Sequence, residues 1–568
     1  MHAPASPTFN LHTVIHGEAQ GPLLYSDTPL SFWGGVNPLS GEIIDRHHPL
    51  SGQSLQGKIL ALPKGRGSCT GSSVLLELIL NGQGPAALVL GEPDEILILG
   101  ALIAAKVFGK TLPVALAAGD DYVRLADTRR LSLTPTGQAA FTTPSLTLSE
   151  ADQAMLSGAQ GPARQLAMQI LVEMAQIQGA EMLIDITQAH IDGCIYTGPG
   201  GLLFAERLRD LGGKVAVPTT LNAISVDRHR WRAQGIDAGF GVPAEALAQA
   251  YVDMGASPSY TCAPYLLDSA PKFGDCIGWA ESNAVAYANS VLGARTAKNA
   301  DFLDICIALT GRAPLAGALL QQNRYATLHI HLPQIGEVDD SFYPLLGHHI
   351  GDMCGPHVPL ISGLEAHNPG PDDLKAFAAA FATTSSAAMF HIHKITPEAA
   401  SVEAALGGIA PHSTIHIHPE ELRQSWHHLN TARQGRVDLV ALGNPHLSLS
   451  EIRKIAALVA GRARHDQTVL ALTLGRAVYA AAEAEGLIAT LTGFGAQIIT
   501  DTCWCMIEAP LIPPKAEYIM TNSGKYAHYA PGLTGCTMHF GTLAACIEAA
   551  CTGLASPIEP ARHQAVKR

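Results

Sequence analysis

Short apolar runs alternate with helix-like segments along the chain, and this alternation limits the possible folds more than any other feature. Near the N-terminus, buried strands are indicated by "KILAL" (Lys58–Leu62) and "AALVL" (Ala86–Leu90). Between them, "SSVLLELILNG" has a helical pattern that ends at Gly82. Because strands alternating with helices form sheets covered by helices, the pattern predicts an α/β fold.

The length requires more than one domain. A chain of 568 residues exceeds what a single hydrophobic core organises. We expect a small β/α domain over residues 1–134, a polar, proline-bounded linker over 135–148, and a large α/β region with two lobes over 149–568. Two pairs with capping-box spacing, Ser149/Asp152 and Ser448/Glu451, predict helix starts within the large region.

The composition narrows the class of partner. The net charge of −13 disfavours nucleic acid or an anionic membrane as the main partner. No apolar run reaches the length of a membrane span, and the N-terminus lacks the basic and apolar segments of a secretory signal. We therefore expect a cytoplasmic protein.

The segment "LPKGRGSCTGSS" is a glycine-rich turn before a helix. It lacks the Lys-Ser/Thr pair of a nucleotide-binding P-loop, and Gly65, Gly67 and Gly71 miss the spacing of a dinucleotide site. A helix that starts near Ser72 offers free amide groups, which attract a carboxylate and lower the cost of ionising a serine. A tight connection capped by serine is an equally good interpretation.

Histidines and cysteines offer further candidates for metal binding. Three H-x-H pairs place two rings on one face of a strand, which suits either a zinc site or a polar strand edge; they are His329/His331, His391/His393 and His416/His418. The eleven cysteines contain no C-x-x-C motif. Most are expected in the core as thiols, and a few could bind a soft metal or an iron–sulfur cluster.

Several long strings together resemble the aconitase X family. They are Thr261–Thr296, which begins "TCAPYLLDSAPKFGD", then "DTCWCMIEAP", and Thr521–Pro531, "TNSGKYAHYAP". The glycine-rich loop is similar to that of the small, swivelling part of the same family. The resemblance implies a swivelling β/α domain fused in front of a large, multi-lobed aconitase-like region.

The resemblance implies a dehydratase with an iron–sulfur cluster, either 2Fe-2S or 3Fe-4S/4Fe-4S. Because the small part is fused to the large one, the implied substrate is cis-3-hydroxy-L-proline, dehydrated by a monomer to Δ1-pyrroline-2-carboxylate. One alternative is another hydroxy acid, such as mevalonate 5-phosphate. A second is a non-catalytic binding protein on an aconitase-like scaffold.

The family pattern also implies residue roles. It assigns the proton acceptor to a serine of the loop, for which Ser72 is the best match and Ser68 the second. The residues expected to bind substrate lie in the loop and in "TNSGKYAHY"; they are Lys64, Arg66, Gly71, Asn522, Ser523, Lys525 and His528.

The cluster ligands are implied less completely. Cys262 and Cys503 match cysteines of the family. In "ALGNPHLS", Asn444 stands where many members have a cysteine, and asparagine does not replace a thiolate in iron–sulfur ligation. We expect Cys354 as the third ligand, with Cys505 as the alternative, and the number of iron atoms stays open.

Overall fold

The computed structural model describes residues 9–117, 119–134 and 145–555, so most of the predicted linker, 135–148, lies outside the described residues. The N-terminal segment contains six strands and three helices. They are β1 (His12–Ile15), β2 (Ala19–Tyr25), β3 (Ile59–Leu62), α1 (Gly71–Asn81), β4 (Ala87–Leu90), α2 (Glu95–Phe108), β5 (Val114–Leu116), α3 (Asp120–Arg124) and β6 (Arg130–Leu133).

These six strands form one sheet in the order β1-β5-β4-β3-β2-β6. The four inner strands are parallel, and both edge strands are antiparallel to their neighbours. Strands β3 and β4 are wholly buried, as expected for apolar runs at the centre of a parallel sheet. Helices α1 and α2 end at Gly82 and Gly109, each in the left-handed conformation that glycine adopts without strain.

The next segment begins the large region. Its elements are α4 (Glu150–Leu156), α5 (Pro162–Ile177), β7 (Leu183–Asp185), β8 (Ala189–Ile191), α6 (Pro199–Asp210), β9 (Thr219–Leu221), α7 (Ala238–Asp253), β10 (Gly278–Trp279), α8 (Ser282–Tyr287), α9 (Leu303–Thr310) and β11 (Arg312–Pro314). They include a parallel sheet, β10-β8-β9, and an antiparallel pair, β11-β7.

Two further segments each form a parallel sheet. The first, in the order β14-β13-β12-β15, contains β12 (Leu328–His331), α10 (Phe342–Cys354), β13 (Pro359–Ser362), α11 (Pro371–Thr384), β14 (His391–Ile392), α12 (Val402–Leu406), β15 (Ser413–His416) and α13 (Pro419–Leu429). The second, in the order β18-β17-β16-β19-β20, contains β16 (Leu439–Leu442), α14 (Leu449–Val459), β17 (Val469–Leu474), α15 (Arg476–Ala484), α16 (Leu487–Phe494), β18 (Ala496–Thr500), β19 (Tyr518–Thr521), α17 (Gly524–Thr534), β20 (Thr537–Phe540) and α18 (Leu543–Thr552). The described part of the large region thus has three sheet-bearing units where two lobes were expected.

Both predicted helix caps are confirmed. Ser149 and Asp152 form a capping box at the start of α4, and Ser448 and Glu451 form another at the start of α14. Within the described residues, no helix has the length and hydropathy needed to cross a membrane.

Helix α1 connects the N-terminal domain to the large region. Its buried Glu77 accepts a hydrogen bond from the Gly200 amide at the start of α6, over 3.0 Å. Its other side packs closely on α2, because a Cβ at Gly100 would lie 2.6 Å from the Ser72 carbonyl oxygen. Helix α1 is therefore held from two sides, at Ser72 by α2 and at Glu77 by α6.

Candidate active site

The loop between β3 and α1 begins a chain of hydrogen-bonded side chains. Ser68 Oγ donates to Thr70 Oγ1 over 3.1 Å, and Thr70 Oγ1 donates to Asp192 Oδ2 over 3.2 Å. The Thr70 amide donates to Ser68 Oγ over 3.2 Å, a contact that stabilises negative charge on this oxygen. Asp192 follows β8, so the chain crosses from the N-terminal domain into the large region.

Ser72, the predicted proton acceptor, lies in a different environment. Its side chain is 0% exposed, whereas that of Ser68 is 9% exposed. Ser72 Oγ donates to the carbonyl oxygens of Cys69 and Asp301, each over 3.2 Å. The adjacent Ser73 Oγ donates to Asp301 Oδ2 over 2.7 Å. These contacts join the two parts of the molecule, and the geometry favours Ser68, the second prediction, over Ser72 as the base.

Three buried carboxyl groups stand behind the loop. Burial is the main cause that raises the pKa of each of them, Asp192, Asp301 and Asp304. Repulsion by other carboxyl groups adds to the pKa of Asp192, where Glu281 contributes most, and to that of Asp301, where Asp192 contributes most. The pKa of Asp304 is raised to about 6, while backbone amides, including that of Gly193 at 3.0 Å, oppose the shift. Asn222 Nδ2 donates to Asp192 Oδ1. Asp192 is therefore the buried carboxyl group at which the chain of hydrogen bonds from Ser68 ends.

The start of α8 joins the loop to the cysteines. Ser282 Oγ donates to the Gly67 carbonyl oxygen over 3.2 Å. The next residue, Asn283, donates from Nδ2 to the Cys262 carbonyl oxygen over 3.1 Å. Gly67 itself has a φ of +78°, and a Cβ there would lie 2.9 Å from Tyr529 Oη on α17. Only glycine fits this close approach of the loop to α17.

A buried ion pair lies beside the same segment. Lys525 Nζ lies 3.0 Å from Glu281 Oε1. Burial lowers the pKa of Lys525, but the charges of Glu281 and of the nearby thiols outweigh it and hold that pKa well above its usual value. Burial raises the pKa of Glu281, and Lys525 more than reverses this, so the pair is ionised. Glu281 has a φ of 62°, a strained conformation for a residue other than glycine.

Three cysteines form one buried thiol group. The thiols of Cys262 and Cys505 are close enough to that of Cys503 to be the main influences on its pKa, which is raised, and all three pack in one core. Cys505 Sγ accepts from Asn444 Nδ2 over 3.1 Å, and Cys262 Sγ accepts from the His446 amide over 3.3 Å. The residues Cys262, Cys503 and Cys505 are defined here as the thiol group.

The structure places Cys354, the expected third ligand, elsewhere. Its thiol is buried at the end of α10, 3.4 Å from Ser385 Oγ and 3.7 Å from the Gly351 carbonyl oxygen. It packs in the core around β12 and β13 rather than in the core that contains the thiol group. Cys505, the alternative, is the third cysteine in the core that contains Cys262 and Cys503.

The predicted substrate-binding residues do not all converge. Lys64 Nζ lies 3.3 Å from Glu92, and Arg66 lies 3.0 Å from Asp45, so both cations have carboxylate partners. Ser523 caps α17, where it accepts from the Tyr526 amide and donates to the Asn444 carbonyl oxygen.

The remaining predicted residues differ in position. Asn522 is half-buried in the turn before α17, and Gly71 is buried as the first residue of α1. Lys525 faces the thiol group, as described above. His528, one turn further along α17, lies among other histidines instead.

Lys298 is a cation that the sequence did not indicate. Burial lowers the pKa of Lys298, and the negative charges of Cys69, Asp94 and Glu281 oppose this shift without reversing it. Its ammonium group donates to the Ser385 carbonyl oxygen over 3.4 Å. It lies two residues after Thr261–Thr296, the string that resembles the family, and nothing else in the sequence draws attention to it. Thr70, Asp192 and Asn222 had no signal, because they come together only through tertiary contacts.

Histidines from three segments meet beside this site. The ligand nitrogens of His47, His428 and His528 all lie within 4.8 Å of one another. His348 Nε2 is 3.1 Å from His528 Nδ1. Burial is the largest cause of a lowered pKa in two of these histidines. The pKa of His47 is lowered to about 4, and that of His528 lies well below its usual value. None of the three H-x-H pairs belongs to this group: His391, for example, bonds to the Arg324 carbonyl oxygen at 2.7 Å.

Comparison with known protein families agrees with this arrangement. Models of four aconitase X domains match the chain in succession: the swivel domain at 8–139, the first domain at 145–322, the second at 326–427 and the third at 437–552. The chain belongs to the aconitase X family.

Individual relatives extend this result. The chain is 56% identical to the cis-3-hydroxy-L-proline dehydratase of Pseudomonas aeruginosa, over 95% of this chain and 96% of that protein. It is 53% identical to the enzyme of the same name from Hypocrea jecorina, over 95% and 94%. The crystal structure of aconitase X from Thermococcus kodakaraensis, holo-form, matches with a TM-score of 0.64 and 31% identity, covering 71% of this chain and 100% of that one.

Proposed function

We propose that this aconitase X protein is a hydro-lyase that dehydrates cis-3-hydroxy-L-proline to Δ1-pyrroline-2-carboxylate. One observation carries the proposal: a serine hydroxyl connected to a buried proton acceptor stands across α8 from a group of three thiols. Dehydration needs both a base and a group that assists departure of the hydroxyl. The similarity to two dehydratases of that name supports the choice of substrate.

Ser68 acts as the base in this proposal. Its own proton passes through the Thr70 hydroxyl to Asp192, and the Thr70 amide stabilises the resulting alkoxide. The alkoxide then removes the α-proton of the substrate. The electron pair of that C–H bond forms the double bond to C3, and the C3–O bond breaks so that hydroxide leaves. Protonation of this hydroxide to water consumes the proton that Asp192 had gained, which returns Ser68 and Asp192 to their starting states. The enamine product tautomerises to Δ1-pyrroline-2-carboxylate.

The thiol group fits the iron–sulfur cluster that the family implies. Three buried cysteine sulfurs in mutual contact are the donor set that such a cluster requires, and Lys525 beside them offsets their negative charge once they ionise. We propose Cys262, Cys503 and Cys505 as its ligands. When bound, the cluster supplies a Lewis-acidic iron that favours loss of a hydroxyl group.

Two cations suit the substrate carboxylate. Lys525 is ionised beside the thiol group, and Lys298 lies close to Cys69 in the loop that carries Ser68. A phosphorylated substrate such as mevalonate 5-phosphate is less well supported. It needs cations for its phosphate, and the nearest ones in the loop, Lys64 and Arg66, face Glu92 and Asp45.

A substrate screen tests the proposal. Full-length protein purified without oxygen is offered the isomers of hydroxyproline and mevalonate 5-phosphate, and products are identified by proton NMR. We expect Δ1-pyrroline-2-carboxylate from the cis-3-hydroxy-L isomer alone. Turnover of mevalonate 5-phosphate instead would show that the substrate is a phosphorylated hydroxy acid. If the iron-loaded protein turns over none of these compounds, the non-catalytic binding protein is favoured.

A further inference from the structure

We propose that His47, His428 and His528 form a binding site for a divalent transition metal of the zinc type, which links the N-terminal domain to the large region. These three residues are called the histidine site. The proposal concerns metal binding only and does not depend on the dehydration reaction.

The site is assembled from three distant parts of the chain. His47 lies between β2 and β3 of the N-terminal domain, His428 is in the last turn of α13, and His528 is in the middle of α17. Their ligand nitrogens lie within 4.8 Å of one another. Three imidazoles with a water as fourth ligand are a familiar environment for zinc, and imidazole also suits nickel and copper.

The ring positions are close to those that an ion needs. A zinc–nitrogen distance of about 2.0–2.1 Å places the centres of ligating imidazoles about 5–5.5 Å apart. The ring centres of His47 and His528 are 5.4 Å apart, those of His428 and His528 are 6.3 Å apart, and those of His47 and His428 are 3.9 Å apart. Side-chain rotations that shift each ring by about 1 Å would therefore bring three nitrogens onto one ion.

A fourth histidine orients one ligand. His348 Nε2 lies 3.1 Å from His528 Nδ1, which leaves Nε2 of His528 as the nitrogen for an ion. The Nδ1 atom of His348 is buried without a hydrogen-bond partner. A metal-ligating histidine commonly has its second nitrogen held in this way, since the contact fixes the ring orientation.

The surroundings can accept a cation. Arg66 lies nearby, but Asp45 at 3.0 Å and Asp352 at 3.9 Å balance its charge. A small cavity lined in part by Asp45, His47 and His528 lies beside these rings. Because His47 belongs to one domain and the other two ligands to the large region, bound metal would hold the two parts together.

Zinc binding to the full-length, cluster-loaded protein tests the site. The Zn²⁺ affinity is measured by competition with a chromophoric chelator, for the wild type and for His428→Gln. The neighbouring, exposed His427→Gln on the same helix is the matched control. We expect one equivalent of zinc to bind, His428→Gln to weaken binding at least about 10-fold, and His427→Gln to leave it unchanged.

X-ray absorption at the zinc edge distinguishes the histidine site from the thiol group. We expect only nitrogen and oxygen neighbours at about 2.0–2.1 Å, whereas thiolate ligation gives about 2.3 Å. Zinc should also raise the melting temperature of the wild type but not of His428→Gln. Sulfur neighbours, equal affinity in the wild type and His428→Gln, or no stoichiometric binding would each overturn the proposal.

Discussion

The glycine-rich loop and the thiol group face each other across α8, and they are built in opposite ways. The loop presents hydroxyl groups whose hydrogen bonds lead away into a set of buried carboxyl groups. The thiol group is closed on itself: its sulfurs contact one another, and Asn444 and the His446 amide donate to them. In the proposed function, the loop moves protons and the thiol group holds the metal centre.

The contrast teaches that the two sides depend on different partners. Ser68 is useful as a base only if the large region provides Asp192, which has no covalent connection to the loop. The thiol group comes wholly from the large region, although its sulfurs pack in a core shared with N-terminal residues such as Phe32 and Val74. A variant of either side should therefore fail in a distinct and measurable way.

The largest expected effect comes from the thiol side. Cys503→Ser should lose its bound iron and lower activity by at least about 10³-fold, since metal assistance contributes several kcal/mol to such steps. Cys354→Ser is the matched control and should keep its bound iron and its activity. Iron content, visible absorption and kcat are measured together. Loss of iron in Cys354→Ser but not in Cys505→Ser would restore Cys354 as the ligand.

A variant of the base in the glycine-rich loop should lose activity and keep the visible absorption of the cluster. Ser68→Ala is expected to lower kcat by about 10²- to 10⁴-fold, the usual contribution of a general base, and to retain its iron. Ser72→Ala should keep most activity and lose about 1 kcal/mol of stability, because it removes a buried structural hydrogen bond. Kinetics and thermal melting distinguish the two. If Ser72→Ala proves to be the inactive variant, the assignment of the base reverses.

A smaller effect tests the connection between the loop and its acceptor. Thr70→Val removes the hydroxyl between Ser68 and Asp192 at nearly constant volume, whereas Thr70→Ser retains it. We expect kcat to fall about 10- to 100-fold in the valine variant alone, as for loss of a hydrogen bond to a charged group. KM should change little, because Thr70 is not assigned to substrate binding. Equal kcat in both variants would show that protons do not take this route.

The smallest effect concerns the strand that leads to Asp192. Burial lowers the pKa of His190, on β8, from 6.5 to about 3. The unfolded chain therefore binds a proton that the folded one does not, and stability falls as the pH drops below 6.5. In His190→Gln this dependence should be shallower by up to about 1.4 kcal/mol per pH unit. Urea unfolding at neutral and at mildly acidic pH measures it; parallel slopes would contradict the shift.

Local signals in the sequence were sufficient for the elements and for parts of the site. Apolar runs located β3 and β4, and the capping boxes at Ser149 and Ser448 located two helix starts, because these features depend on neighbours within a few residues. Loop serines, Cys262, Cys503 and Lys525 were found through strings that resemble a family. The three-unit organisation of the large region was not predicted, since no local pattern shows how strands distant in the sequence are grouped into sheets.

By itself, the sequence determined the α/β class, the family and the residues from which a base and a metal site could be chosen. Only the tertiary structure decided their surroundings. It gave Ser68 and Ser72 different burial and hydrogen bonds, because these depend on segments more than 100 residues away such as Asp192, and our proposal of Ser68 as the base rests on that difference. It brought Cys505 rather than Cys354 to the thiol group for the same reason: a contact between distant segments leaves no pattern along the chain.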